Sequence, residues 1–312
     1  MRPALSILFF TVVSGMGYGL WFLLGAGLAL APVRLGREPA LLALTVGAAF
    51  AAAGLVASTL HLGQPRRAWR AFSQWRSSWL SREGIAASAS FVPAAALGML
   101  LWRGADAGAL RAGGLALAVL AAATVTCTAK IYTSLKTIPA WRDALVLPGY
   151  LLLGLLGGSS AGWLIGALAH DAGDRPLPGL VATLALAAAL LKRAYWRRLD
   201  RAPPAATAES ATGLGRFGTV RAVEAPHTEE NYLTREMGFA LARKHAARLR
   251  RIALFLIGAV PAALGIAAAL WPVPAAPSAG VVASAVIAGS FVERWLFFAE
   301  AKHVVMLFYG ER

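Results

Sequence analysis

LSILFFTVVSGMGYGLWFLLGAGLALA, residues 5–31, runs for 27 positions without one Asp, Glu, Lys or Arg. About 20 such residues, wound at roughly 1.5 Å each, span the hydrocarbon of a bilayer. The run is longer than the apolar core of a signal peptide. Ala29–Ala31 resemble a cleavage site only weakly, so the segment reads as a retained helix. Runs of the same kind recur at about 39–61, 84–102, 112–132, 144–169, 177–195, 252–271 and 279–300. Eight crossings give an all-α, polytopic integral membrane protein, one domain over 1–312 with a single sizeable loop at about 196–250.

Composition agrees. Apolar side chains make up 58% and charged ones 14%, against roughly 45–50% and 25% in soluble domains; mean hydropathy is +0.62. A water-soluble enzyme is excluded on that ground. The net charge of +15 would suit nucleic acid, but a basic nucleic-acid binder does not carry this much hydrocarbon. One cysteine, Cys127, leaves no disulfide framework, iron–sulfur cluster or cysteine-rich metal site within the protein. Gly15 and Gly19, four apart, mark a face for close helix approach.

The charge orients the spans. Sorted by loop, 25 of the 30 Lys and Arg fall on the side of the N-terminus and 5 on the other. Without the 13 from Lys192 to Arg251, which the count assigns to the large loop, the split is still 12 against 5. Lys and Arg are retained on the cytoplasmic side of short loops, which predicts both termini in the cytoplasm. Within the large loop, APPAATAESATG from Ala202 has linker composition. From about 234 to 251, Met237, Phe239, Leu241 and Leu249 interleave with Arg243, Lys244, Arg248, Arg250 and Arg251, the pattern of a basic amphipathic helix running into span seven. Anionic lipid or a soluble partner would satisfy it.

Ionisable groups at membrane depth are costly and count as functional candidates. His61 closes span two, Glu83 opens span three, Lys130 and Tyr132 close span four, and Glu293, Arg294, Glu300 and His303 fall toward the end of span eight. All gather at the cytoplasmic ends, not at the midplane where transporter sites lie. A quinone needs an apolar slot for ring and tail, hydrogen-bond partners for its oxygens, and groups that take and give protons; imidazole and a partly buried carboxyl meet the last need. Plain alternatives stand beside this. An interfacial His61 is satisfied by hydration, and Ser81 as N-cap would put Glu83 at the positive end of helix three. Lys130 can snorkel to the headgroups. A bis-histidine haem would require His61 and His303 to meet.

HLGQPRRAWRAFSQWRSSWLSRE (His61–Glu83) resembles the loop between helices two and three in the anchor subunits of dimethyl sulfoxide reductase-type complexes. TSLKTIPAW (Thr133–Trp141) resembles the start of that family's next loop on the same side, and FVERWLFF (Phe291–Phe298) its final helix more loosely. The resemblance implies an eight-helix, haem-free subunit that binds ubiquinone or menaquinone. It also implies a ferredoxin-like iron–sulfur subunit docked on it, joined to a molybdopterin catalytic subunit, so that clusters and molybdopterin belong to partners only. On these positions the family's quinone residues fall on His61 and Glu83; the placement of Lys130 and Tyr132 at the same end of span four, read from the residues themselves, makes them candidate further donors. Arg66, Arg67, Trp69, Arg70, Trp75, Arg76 and Trp79 would dock the partner, and Glu293, Arg294 and His303 would form a second or structural site. In dimethyl sulfoxide reductase anchors the matching loop faces the periplasm, whereas the charge count puts this one in the cytoplasm. The nearer resemblance is therefore to anchors of cytoplasmic sulfite–quinone oxidoreductases, in the bacterial inner membrane. Pro3–Leu20 and the block from Glu236 to Arg251 also resemble that branch. The alternatives are an S- or N-oxide reductase anchor that oxidises menaquinol, a secondary transporter, and a scaffold without quinone.

Overall fold

The computed structural model describes residues 3–32, 36–60, 62–169, 176–203, 206–221, 223–224 and 241–309, the side chains of 241–244 and 308–309 excepted. Among these the regular structure is helical, with no strand. Eight helices are long and apolar enough to cross a membrane: α1 Leu5–Leu30, α2 Arg37–Thr59, α3 Trp79–Arg103, α4 Ala107–Thr133, α5 Val146–Ala169, α6 Pro176–Arg201, α7 His245–Leu270 and α8 Ala275–Ala299. An even number of crossings returns the polypeptide to the side on which it began. That side is called the terminal face below.

Helix ends depart from the sequence expectation where a local interaction decides them. Helix α3 begins at Trp79, not near 84, because the Ser78 hydroxyl caps it by accepting from the Ser81 amide at 3.4 Å. Ser78 therefore holds the cap position expected of Ser81. Glu83 falls on the fifth helical residue, past the turn over which the helix dipole acts. Asp106 opens α4, its carboxylate accepting from the Gly108 and Ala109 amides at 2.8 and 3.0 Å. Helix α6 continues to Arg201, so Lys192, which the charge count assigns to the loop, lies inside the helix with its side chain buried. The amphipathic segment enters α7 without a break from Leu241 onward; its earlier part, 234–240, lies outside the described residues. Helix α8 stops at Ala299, which leaves His303 beyond the span that was expected to contain its neighbours.

Helices α1 and α5 are the most enclosed. Helix α1 packs on α2, α4 and α5, while α5 packs on α1, α6 and α8, so the pair joins a half built from α1–α4 to a half built from α5–α8. Small residues permit the contact. A Cβ on Gly19 would overlap the Gly154 carbonyl, and one on Gly158 would overlap the Gly19 backbone. Gly19 therefore does what its spacing suggested, whereas the Cβ position of Gly15 faces open space. Trp21 is fully buried on the α2 side, its indole Nε1 donating to the Leu44 carbonyl at 3.1 Å. Val92, Leu190, Val119 and Leu115 stand exposed on the outside, the surface lipid would cover.

Two spans carry a π-turn, at Phe10–Ser14 in α1 and Phe255–Ala259 in α7. Such turns displace one carbonyl from the ladder and are tolerated in membranes where side chains re-satisfy the backbone. In α1 the Ser14 hydroxyl does so, donating to the Phe10 carbonyl at 2.6 Å, and Thr11 donates to the Ile7 carbonyl at 2.9 Å.

Candidate functional site

The buried ionisable groups stand near the terminal face, as the sequence implied, but in two clusters. The first is Glu83 with Thr128. Glu83 lies four residues inside α3, roughly 6 Å along the axis, and is 4% exposed. Its Oε1 meets the Thr128 hydroxyl of α4. The same hydroxyl stands 3.1 Å from the Thr124 carbonyl. A hydroxyl has one proton to give, so the pair has two complete arrangements. Thr128 donates to an ionised Glu83, or a protonated Glu83 donates to Thr128 while Thr128 donates to Thr124. Both protonation states of the carboxyl thus keep a partner.

Lys130 and Tyr132 do not join this pair. Thr128 lies one turn before Tyr132 on α4, on the same stripe, and takes the place beside Glu83. Tyr132 instead packs in an aromatic cluster, 5.2 Å edge-on to Trp141 and 5.8 Å in a stack with Tyr150, with Phe297 and Phe298 completing it. Trp141, from the loop after α4, plugs this end of the bundle, its Nε1 donating to the Phe297 carbonyl at 3.0 Å. Lys130 is half-buried and makes no ion pair among the described residues. His61 lies outside the described residues; its neighbours on either side, Leu60 and Leu62, are described.

The second cluster joins α6 and α8. Glu293 is 1% exposed and receives Lys192 Nζ at 2.5 Å, with Arg294 at 3.7 Å. The guanidinium of Arg294 lies 3.7 Å from the ring centre of Tyr150 on α5. Lys192 stands over Tyr195 at 4.3 Å and Trp196 at 5.3 Å. Toward the surface, Arg250 of α7 lies 5.5 Å from Trp196 and binds both Glu300 at 2.9 Å and the exposed Asp200 at 2.7 Å. Burial pushes the Glu300 carboxyl up, against the pull of Arg250. Glu293 and its chain neighbour Arg294 do pair, but Lys192 is the closer partner. Lys192 fell inside the run at 177–195, so a cation within an apolar run, next to Arg193, was the signal for it. Nothing in sequence said which carboxylate it faces.

His303 belongs to neither cluster. Its Nδ1 accepts from the Val305 amide at 3.1 Å, and the Val304 amide donates to the Thr137 carbonyl at 3.0 Å, tying the segment after α8 to the loop after α4. Desolvation lowers the His303 imidazole below its ordinary range.

The arginine- and tryptophan-rich loop forms a 3-10 helix, Pro65–Gln74. Arg66, Arg67, Trp69, Arg70, Trp75 and Arg76 are exposed and Trp79 is half-buried. Each tryptophan carries a guanidinium: Arg70 on Trp69 at 5.7 Å, Arg76 on Trp75 at 5.3 Å, Arg82 on Trp79 at 4.4 Å. Arg82 also closes the loop by donating to the Trp75 and Arg76 carbonyls at 2.8 and 2.6 Å. Phe72 reaches back to 3.5 Å from the Cβ position of Gly84, so the basic loop lies against the helix turn that carries Glu83.

A sequence model of the DMSO reductase anchor subunit (DmsC) matches residues 1–310. The chain belongs to this family. Along its whole length the anchor is 31% identical to the C subunit of sulfite dehydrogenase from Allochromatium vinosum, over 330 aligned positions that cover 99% of both proteins. It is also 34% identical over 118 residues to the C polypeptide of anaerobic dimethyl sulfoxide reductase from Escherichia coli K12, covering 37% of the anchor and 41% of that protein. The anchor is a multi-pass membrane subunit, as its eight spans require.

Proposed function

We propose that this anchor passes electrons between the quinone pool and a soluble oxidoreductase during sulfite oxidation, with Glu83 and His61 handling the quinone oxygens and their protons. The carrying observation is the Glu83–Thr128 pair: a carboxyl almost sealed from solvent, with a partner in either protonation state, one turn from a helix start and under an exposed cationic loop. Quinone turnover moves two electrons and two protons. Glu83 would exchange one proton with one ring oxygen, and His61 the other proton with the second oxygen.

The exposed Arg66, Arg67, Arg70 and Arg76, with Trp69, Trp75 and Trp79, are the docking surface for an iron–sulfur subunit that in turn meets a molybdopterin subunit. Arginine and tryptophan anchor interfaces of this kind. The excess of Lys and Arg on the terminal face supports a cytoplasmic position for that face and for the partners. The full-length similarity to a sulfite dehydrogenase component supports this branch. The shorter match to a dimethyl sulfoxide reductase component supports a second reading, in which the anchor oxidises menaquinol for reduction of an S- or N-oxide.

The test uses the complex purified in mild detergent. His61→Ala and Glu83→Gln are expected to lower quinone-linked turnover by about a hundredfold or more, with the yield of assembled complex and its reaction with an artificial acceptor retained. Ordinary quinone kinetics in both variants would dismiss the assignment. The co-purifying subunits and their metal content, read on the same preparation, decide between sulfite and S-oxide chemistry.

A further inference from the structure

Between α1, α4, α5 and α8 lies a cavity of about 20 Å³. That is far below the few hundred Å³ a quinone ring would need, but it is room for a water, which takes roughly 10–15 Å³ of such space and two to four polar partners. Four residues of its lining carry buried polar atoms that make no well-formed hydrogen bond among the described residues: the Ser290 hydroxyl, the Tyr150 hydroxyl and Arg294 Nε, whose side chains adjoin one another, and the Tyr18 hydroxyl, which adjoins Ser90. All four side chains are 6% exposed or less. Buried polar atoms without partners are rare, and several converging on one space indicate bound water. The π-turn of α1 forms part of the same wall, through Thr11 and Ser14.

The placement of the cavity gives it a use. Thr128, the partner of Glu83, lines one side, and Arg294, the partner of Glu293, lines another. From Glu293 the polar contacts continue to Lys192. The cavity thus lies between the two clusters, touching Thr128 of one and Arg294 of the other, and the Trp196 indole separates Lys192 from the more exposed Arg250, Glu300 and Asp200.

We propose that this cavity holds water, oriented by Arg294, and passes protons to and from Glu83 by way of Thr128. The proposal rests on the reading of Glu83 as a proton donor and acceptor for quinone. In the direction of quinone reduction, two electrons arrive from the docked partner and Glu83 gives its proton to a ring oxygen. The resulting carboxylate takes the Thr128 proton. Thr128 takes one from the cavity water, and the hydroxide so formed takes a proton from a further water that enters the cavity, while Arg294 orients the water and keeps its own protons. The second ring oxygen takes its proton by way of His61. Quinol oxidation runs every step in reverse. Tyr150 and Ser290 are positioning residues that hold the water.

Quinone-linked turnover of the purified complex, measured in H2O and D2O, tests this in Tyr150→Phe, Ser290→Ala and Glu83→Gln. Tyr150→Phe and Ser290→Ala are expected to slow turnover about three- to tenfold and to raise the solvent isotope effect, which a purely structural role would not move. The soluble partners' reaction with an artificial acceptor stays as in the unmodified complex. Unchanged turnover and isotope effect in both, with Glu83→Gln inactive, overturns the relay and leaves the Glu83 reading standing. Full activity in all three overturns both. The unmodified complex gives a measurement independent of any variant: an infrared O–H band that changes with quinone turnover and shifts in H2-18O supports the relay, and the lack of one sinks it.

Discussion

Glu293 faces two cations, Lys192 at 2.5 Å and Arg294 at 3.7 Å, in a place from which water is nearly excluded. A buried ion pair gains little over apolar packing, but breaking one from a single side leaves an uncompensated charge and costs about 3–5 kcal/mol. The arithmetic here is asymmetric. Glu293→Gln leaves two buried cations side by side, whereas Lys192→Met leaves Glu293 still balanced by Arg294. Glu293→Gln is therefore expected to destabilise the anchor in detergent by about 3–5 kcal/mol, and Lys192→Met by clearly less. Thermal unfolding of the two purified variants checks the order; equal losses would mean that Lys192 alone neutralises Glu293. Glu83 differs in kind. Its partner is a hydroxyl that accommodates either protonation state, which suits a group that turns over protons better than one that holds a fold together.

At the scale of the helix, small residues govern how α1 meets α5. The overlap of a Gly158 Cβ with the Gly19 backbone means that a larger side chain forces the two helices apart. Within a bilayer, close packing supplies the association that burial from water supplies elsewhere. Gly158→Leu is expected to prevent joining of the two halves, seen as loss of most folded anchor from the membrane fraction. Gly179→Leu, at an α6 position with open space around its Cβ, is expected to accumulate normally. Equal yields of the two would mean that the α1–α5 contact is not needed for assembly. The small-residue spacing in α1 was legible in sequence. Which of its glycines makes the contact was not, because that depends on the depth at which α1 and α5 cross: Gly19 lies at the crossing and Gly15 one turn away from it.

Over the whole molecule, the two faces carry different belts. The terminal face presents Trp69 and Trp75 on the cationic loop. The opposite face carries exposed Trp102 and Trp271, with Arg37 stacked on Trp102 at 5.1 Å and donating to its carbonyl at 2.6 Å. Tryptophan and arginine of this kind sit at headgroup level. Two of the cations counted toward orientation, Lys192 and Arg294, prove to be buried and paired in the bundle, yet removing them leaves the imbalance large. A reporter fused after Arg312 is expected to read as cytoplasmic. A periplasmic signal would turn the molecule over and favour the S-oxide branch.

Sequence alone determined the number of crossings, the all-helical class, the family and the end of the bundle where the ionisable groups collect. Those are properties of runs, of charge sums and of local motifs, and hydrocarbon thickness converts a run directly into a helix. Only tertiary structure decided the pairings. Lys192 and Glu293 are about a hundred residues apart, Glu83 and Thr128 lie on different helices, and Thr128 displaced Tyr132 from the place beside Glu83 by one turn of α4. A side chain's partner across a bundle depends on the rotation and depth at which helices meet. Those are set by the joint packing of all eight, so no single stretch encodes them.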